Sequence, residues 1–537
     1  RLEEVNCVNA NLLWSIYKVM KNIIVVGGGS AGVMSAYTLK KVFPEKNITI
    51  LESENVPTVG VGESTLGGIN QWMSMVDLHE EDFMKECNGS LKMSIRFENF
   101  YQKGDGGFHY PFGRPDTSDS IANLNDWYFK KILYPDTPVT DYALTHYPMM
   151  SLVNNNTILT DEMNKTLQLC PELYSYKKDV AYHFDAVMFA NWLKKRFEDI
   201  GGIVEKGDIK IVKESDNGID TIVTDKLKRY TADLFIDCTG WKSLLLGGTL
   251  KEPFDSYADM LPNNKAWATH LPYTNKEKEI KPYTNCTALD NGWVWNIPLW
   301  SRMGTGYVYS DKYVSDDDAL DEFKKYLGRD DLEYRKLTMR VGLHKRIFVK
   351  NVCAIGLSAG FIEPLESNGL LSVHEFLVRL VKILRDRPVV STFVKDQFNA
   401  NCKKFFREFA EFVASHYALS IRDDTEYWRD IQKRDYGVES SIKRLDSTFQ
   451  KINEWSFDNF HYPNLSGMNC IAAGMNFHPT DEHTLKYGTR ESDLNIFSDK
   501  WNKRVIQLER RKKEWDTKAK KCPSLYRHLK KLHIRSI

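Results

Sequence analysis

A strand, a glycine-rich turn and a helix in immediate succession constrain the fold of this chain more than any other feature. Lys21–Val26 (KNIIVV) is a short apolar, β-branched run of the kind buried in parallel sheets. Gly27-Gly28-Gly29-Ser30-Ala31-Gly32 follows, then a helical stretch from Val33 to Phe43 that Pro44 ends. In this Gly-x-Gly-x-x-Gly, Gly27 permits the tight turn, Gly29 lets a pyrophosphate approach the backbone, and Gly32 lets helix and strand pack closely. Gly28, Ser30 and Ala31 complete the phosphate loop. The phosphates would sit on the helix N-terminus, where free N–H groups and the dipole favour an anion. Asn47–Leu51 reads as the second strand, and Glu52 at its end is placed to bond the adenosine ribose hydroxyls. A lone glycine motif is weak. Between strand and helix, with an acid ending the next strand, it predicts an α/β, Rossmann-like dinucleotide box, and a ligand-free glycine turn becomes the minor alternative.

Composition narrows the partners. The 537 residues carry 73 Lys plus Arg against 72 Asp plus Glu, a net charge of +1, so no bulk charge points to nucleic acid. No apolar run approaches the ~18–20 residues of a membrane helix. Nine cysteines are scattered without a Cys-x-x-Cys pair, which argues against a zinc site or a redox dithiol; no metal is expected. That cysteine usage fits a reducing cytoplasm. Residues 1–19 read as an unstructured or non-native leader, with Met20 as the expected start.

Several further stretches look like one family. Ala232–Gly240 is an apolar strand ending in Cys-Thr-Gly, a mark that recurs in FAD-dependent oxidoreductases. Gly292-Trp293-Val294-Trp295-Asn296-Ile297-Pro298 sets two indoles on one face of a strand. Taken alone, that pair more often serves core packing. Asn88-Gly89-Ser90-Leu91-Lys92 puts a lysine among apolar neighbours, although a single lysine is nearly always a solvated surface group. Phe361-Ile362-Glu363-Pro364-Leu365-Glu366-Ser367-Asn368-Gly369-Leu370 is the longest such block. Together with Gly60-Val61-Gly62-Glu63-Ser64-Thr65, and in this order, the stretches resemble the flavin-dependent halogenases of the tryptophan-halogenase type.

That resemblance implies a fold and a chemistry. The fold is an FAD box of the glutathione-reductase or aromatic-hydroxylase type, joined to a mostly helical substrate-binding region. By the same likeness, residues 20–120, 176–245 and 345–375 form the FAD box. Residues 121–175, 246–344 and 376–537 form the substrate region. Reduced FAD, oxygen and halide would make hypohalous acid, with Glu63, Ser64, Leu357 and Leu370 beside the flavin and Ser367, Asn368 and Gly369 holding the halide. Trp293, Trp295, Ile297 and Pro298 would separate flavin from substrate. Lys92 would receive the oxidant, and Glu366 would orient it and take the proton lost from the ring. Tyr110 and Phe112, in Phe108-His109-Tyr110-Pro111-Phe112-Gly113, would sandwich an electron-rich aromatic.

Three departures limit the carry-over. Asn368 stands where the family usually has Thr, Tyr110 stands where it commonly has His, and Gly467-Met468-Asn469-Cys470-Ile471 lacks the usual Tyr-Tyr pair that holds the amino-acid end of tryptophan. A substrate range different from or broader than free tryptophan is therefore expected. Only one dinucleotide fingerprint is present, so the reduced flavin is expected from a separate NAD(P)H-dependent reductase. An FAD monooxygenase or epoxidase, and a flavin-binding scaffold, stay open beside this reading. The tail, Lys503–Arg535, reads as one or two amphipathic helices with a solvated basic face.

Overall fold

The computed structural model describes residues 20–56, 63–116, 127, 130–131, 134–386, 390–434, 465–477 and 491–534. The expected leader and Gly60–Gly62 lie outside the described residues. The apolar run at the start forms the strand Asn22–Val26, central in a six-stranded sheet. Across that sheet the order is Phe348–Val349, Val352–Ala354, Leu234–Asp237, Asn22–Val26, Asn47–Glu52 and Ile203–Lys206. All neighbours are parallel except the first pair. Parallel strands covered on both faces must be apolar throughout, and Ile23, Ile24, Val25 and Val26 are all buried. The helices Ser30–Val42 and Ala186–Asp199 pack on this sheet and on one another. Asp185 caps the second helix by accepting from the Val187 and Met188 N–H groups.

A second, seven-stranded sheet carries the tryptophan stretch. Its order is Arg335–Thr338, Lys265–Pro272, Arg302–Tyr309, Gly292–Pro298, Tyr283–Ala288, Ser94–Glu98 and Phe108–Pro111. Only Tyr283–Ala288 and Ser94–Glu98 run parallel. Residues 246–344 therefore contribute five strands to this sheet, whereas helices dominate residues 141–167 and the chain from Gly369 onward. The alternation of the Gly292–Pro298 strand sorts its residues. Val294, with Tyr307 and Tyr309 from the next strand, faces the helix Asp316–Leu327, while Trp293 and Trp295 face the main core.

A third sheet is small and antiparallel: Glu63–Ser64, Ala181–Phe184 and Ser90–Lys92. Its register aligns Ser64, His183 and Ser90 across the three strands and sets Lys92 opposite Ala181. The tail forms two helices, Glu491–Ala519 and Leu525–Ile534. Its basic residues are not simply solvated. Arg511 pairs with Asp116 and Lys512 with Asp141, which docks the long helix on the chain around residue 145. No helix of the described residues is long and apolar enough to cross a membrane.

Candidate active site

The glycine loop has the shape its spacing predicts. Gly27 adopts φ 115°, and its N–H donates to the Leu51 carbonyl at 2.9 Å. A Cβ at Gly27 would run into the Cys238 carbonyl, one at Gly32 into the Gly27 carbonyl, and one at Gly28 into the Glu52 carboxyl group. Glycine is required where backbone approaches backbone this closely. Gly29 caps the helix with extended backbone and no side chain, so the first-turn N–H groups lack a side-chain acceptor. An uncapped helix terminus in a glycine cradle fits a diphosphate. The Ser30 hydroxyl turns away to the Ala186 carbonyl, 3.4 Å off. The turn Gly356–Ser358 closes on Ala31, with Leu357 half-buried beside it. Glu52 lies against the loop at Gly28 and is ion-paired with Lys194, which the sequence did not single out. The Glu63 side chain lies outside the described residues.

Lys92 is fully buried. Its Nζ donates to Ser367 Oγ at 2.7 Å and to the Thr65 carbonyl at 3.0 Å, and sits 5.2 Å from the centre of the Phe112 ring. Burial pushes its pKa down to about 7, against the opposing fields of Glu366 and Cys286. A surface lysine would show none of this. An ammonium taken out of water with so few partners is costly, and such perturbed groups concentrate at functional sites.

The partner turn is built by a break between two helices. Pro364–Glu366 is one turn of 3-10 helix, ended by Ser367 in the left-handed region at φ 55°. That conformation costs a non-glycine residue about 1–2 kcal/mol. It frees the chain to start the 18-residue helix Gly369–Asp386, whose positive N-terminal end lies at Ser367, Asn368 and Gly369. Asn368 Oδ1 has no hydrogen-bond partner among the described residues, and its Nδ2 reaches the Ile362 carbonyl only at 3.4 Å. Leu370 is buried in the first turn.

Glu366 is buried with His416 Nε2 2.9 Å from its Oε1. The approach is off line, so the contact is an ion-pair distance rather than a straight hydrogen bond, and both carboxyl oxygens stay unbonded among the described residues. Burial raises the pKa of Glu366, while His416 and Lys92 oppose the shift. Glu363 makes a different set of contacts. It accepts from Tyr417 Oη and, at 3.0 Å, from Asn263 Nδ2, and burial lifts it to about 7.

Trp293 and Trp295 lie 6.2 Å apart between ring centres, inclined by 61°. Both are buried, and neither indole N–H closes a straight hydrogen bond among the described residues. Trp293 lies near enough to Glu363 to help hold its charge. Cys286, paired with Trp295 across the strands, donates Sγ to the Leu365 carbonyl at 3.7 Å, so the indole-bearing face meets the turn that carries Glu366. Ile297 and Pro298 end the strand, both buried. The chain thus brings together Lys92, Glu366, Ser367 and Phe112, and sets the tryptophan face against the same turn.

Two expectations change. Tyr110 and Phe112 do not flank a slot. Two residues apart on an extended chain they point the same way, and their rings meet edge to face at 5.9 Å. The Ser64 hydroxyl bonds Thr284 Oγ1 at 2.7 Å and accepts from Ser367 Oγ at 3.0 Å, so it is committed to protein partners. Thr284, His183 and Ser90 carried no motif of their own. His183 stands in a buried strand and is 101 positions from its partner Thr284, so only the fold joins them.

The tryptophan halogenase family model matches residues 22–490. Tryptophan 6-halogenase SttH of Streptomyces toxytricini is 34% identical over 430 residues, 77% of this chain and 81% of that protein. Tryptophan 7-halogenase RebH of Lentzea aerocolonigenes is 30% identical, covering 89% and 87%. Among solved structures, VirX1 in its apo form superposes with a TM-score of 0.85 at 34% identity, over 96% of this chain and 99% of that one. The SttH structure superposes at 0.80, covering 95% and 99%. The chain belongs to the tryptophan halogenase family, flavin-dependent enzymes that use FAD and halide to halogenate aromatic rings.

Proposed function

We propose that Lys92 takes up a hypohalous acid and passes its halogen to an electron-rich aromatic ring of the indole, phenol or aniline type. The observation that carries this reading is the fully buried Lys92 ammonium, bonded to Ser367 on the very turn that bears Glu366. When bound and reduced, FAD supplies, with oxygen, the oxidation of halide to hypohalous acid. Gly27 to Gly32 hold its diphosphate and Glu52 its ribose, while Glu63, Leu357 and Leu370 border its ring system, with Ser64 there through its backbone alone. The N-terminal amides after Ser367, with Asn368 and Gly369, hold the halide. Trp293 and Trp295, backed by Ile297 and Pro298, keep the organic substrate away from the flavin. Lys92 receives the oxidant, and Glu366, with His416 beside its Oε1, orients it and accepts the ring proton. Phe112 and Tyr110 together line one side of the substrate space. The reduced flavin comes from a separate NAD(P)H-dependent reductase, in the cytoplasm.

SttH and RebH are tryptophan halogenases by name. Met468 and Asn469 stand here where that branch has its tyrosine pair, and the described helix Leu465–Gly474 packs on Phe108, within the substrate strand. The substrate is accordingly an aromatic other than, or broader than, free tryptophan. Supplying reduced FAD, oxygen and a panel of halides to a mixed aromatic library, with mass spectrometry of the products, tests the reading. Halide-dependent halogenated product is expected, with bromide or iodide ahead of chloride because heavier halides are easier to oxidise. Oxygenated product formed whether or not halide is present would identify a monooxygenase instead.

A further inference from the structure

A continuous line of buried hydrogen bonds leaves Lys92 through Ser367. Lys92 Nζ donates to Ser367 Oγ at 2.7 Å, and Ser367 Oγ donates to Ser64 Oγ at 3.0 Å. Ser64 Oγ stands 2.7 Å from Thr284 Oγ1, and Thr284 Oγ1 stands 2.9 Å from His183 Nε2. On its other edge His183 Nδ1 is 3.2 Å from Ser90 Oγ, whose own proton goes to the Pro298 carbonyl. All six side chains are buried.

The direction of every link is forced. Each hydroxyl has one proton to give. Ser90 spends its proton on Pro298, so His183 Nδ1 must be the protonated nitrogen and Nε2 the one with the free lone pair. Thr284 then donates to Nε2, Ser64 to Thr284, and Ser367 to Ser64. The line runs one way, from the lysine ammonium to an open imidazole nitrogen.

We propose that His183 is the proton acceptor for Lys92, reached through Ser367, Ser64 and Thr284. It never touches the oxidant or the ring and acts only through the lysine, as a positioning residue for its proton. The proposal rests on the reading of Lys92 as the group that receives the halogen. In the transfer the Lys92 N–H bond breaks, each hydroxyl passes its proton one place on, and a His183 Nε2–H bond forms. Ammonium plus neutral imidazole becomes amine plus imidazolium. The amine attacks hypohalous acid: an N–X bond forms, the O–X bond breaks, and water leaves with an amine proton. As halogen passes from nitrogen to the ring carbon, the imidazolium proton returns along the same line to the nitrogen, and the ring proton goes to Glu366.

Because the proton stays inside the protein, this route does not depend on solvent pH. Burial and the nearby Lys92 charge hold His183 well below its ordinary pKa, so it is empty before transfer; the second of these lifts as the proton leaves Lys92, and His183 holds the proton only transiently, while the amine is being halogenated. The other titratable groups around Lys92 are Glu366 and Cys286, with His416 behind Glu366. With the line cut, Lys92 must lose its proton to water. The amine fraction then rises with pH through the value of about 7 that burial imposes.

Thr284→Val cuts the line, Thr284→Ser preserves it, and His183→Gln removes the acceptor. Each is assayed as full-length enzyme with FAD binding checked by flavin fluorescence. The expected result is a halogenation rate for Thr284→Val and His183→Gln about tenfold below the parent near pH 6. The gap closes to near parity near pH 8, and Thr284→Ser follows the parent. A ratio that is the same at both pH values, or parent-like rates in both cut variants, would overturn the proposal. His183→Gln stands in should Thr284→Val fail to bind FAD. Lys92→Ala, run alongside, separates the two levels: if it still halogenates, the reading of Lys92 itself has failed, and not the relay alone.

Discussion

Lys92→Ala is expected to lose halogenation by about a thousandfold or more while FAD binding persists. The side chain lies away from the glycine loop, and its contacts are Ser367, Thr65 and Phe112 rather than any part of the phosphate cradle. No other described residue offers a buried amine at this turn: Glu366 is anionic or neutral, and His416 already faces Glu366. Positioned acid–base and nucleophilic groups each contribute about 10²–10⁴-fold, and Lys92 combines both tasks. The defect falls after halide oxidation, so reduced flavin is still consumed and hypohalous acid escapes to a trap in solution. Product by mass spectrometry, set against trapped oxidant, separates the two steps. Halogenation within tenfold of the parent would contradict the assignment.

Gly32→Ala is expected to weaken FAD binding by about a hundredfold or more, near 2.8 kcal/mol at 1.4 kcal/mol per decade. A Cβ at Gly32 would meet the Gly27 carbonyl oxygen, which is backbone and has nowhere to go, because Gly27 is itself fixed by its bond to Leu51. The helix must lift from the strand, and the first-turn N–H groups then leave the diphosphate. Titration with FAD followed by flavin fluorescence reads the loss, and circular dichroism verifies the fold. Unchanged affinity would mean that the loop does not hold the diphosphate.

What could be read from the sequence was local. The glycine loop works within a span of six residues, so spacing alone conveys its shape. Lys92 and Ser367 are 275 positions apart, and only the likeness to a family joined them in advance. Of the sheet in residues 246–344, the strand Gly292–Pro298 was legible from its alternation, while its neighbours were not, for a physical reason. Its strand Arg302–Tyr309 contains Gly304 and Gly306, which read as turn residues, yet a Cβ at Gly306 would strike the Trp295 ring and the Trp267 carbonyl. The glycine is the space the indole fills. The tail was legible as helix but not as a docked one, because Asp116 and Asp141, which anchor it, lie nearly 400 residues earlier. The hydroxyl line to His183 was invisible for the same reason: serine, threonine and histidine carry no signal until three strands align them.

The proposed chemistry needs a division between where the oxidant is made and where it is used. A crystal structure of this enzyme with FAD and bromide bound measures it directly. The prediction is an isoalloxazine ring on one side of the Trp293–Trp295 pair, bromide at the amides after Ser367, and Lys92 Nζ beyond the indoles facing the substrate space. An isoalloxazine in contact with Lys92 Nζ, with no indole between them, would contradict it.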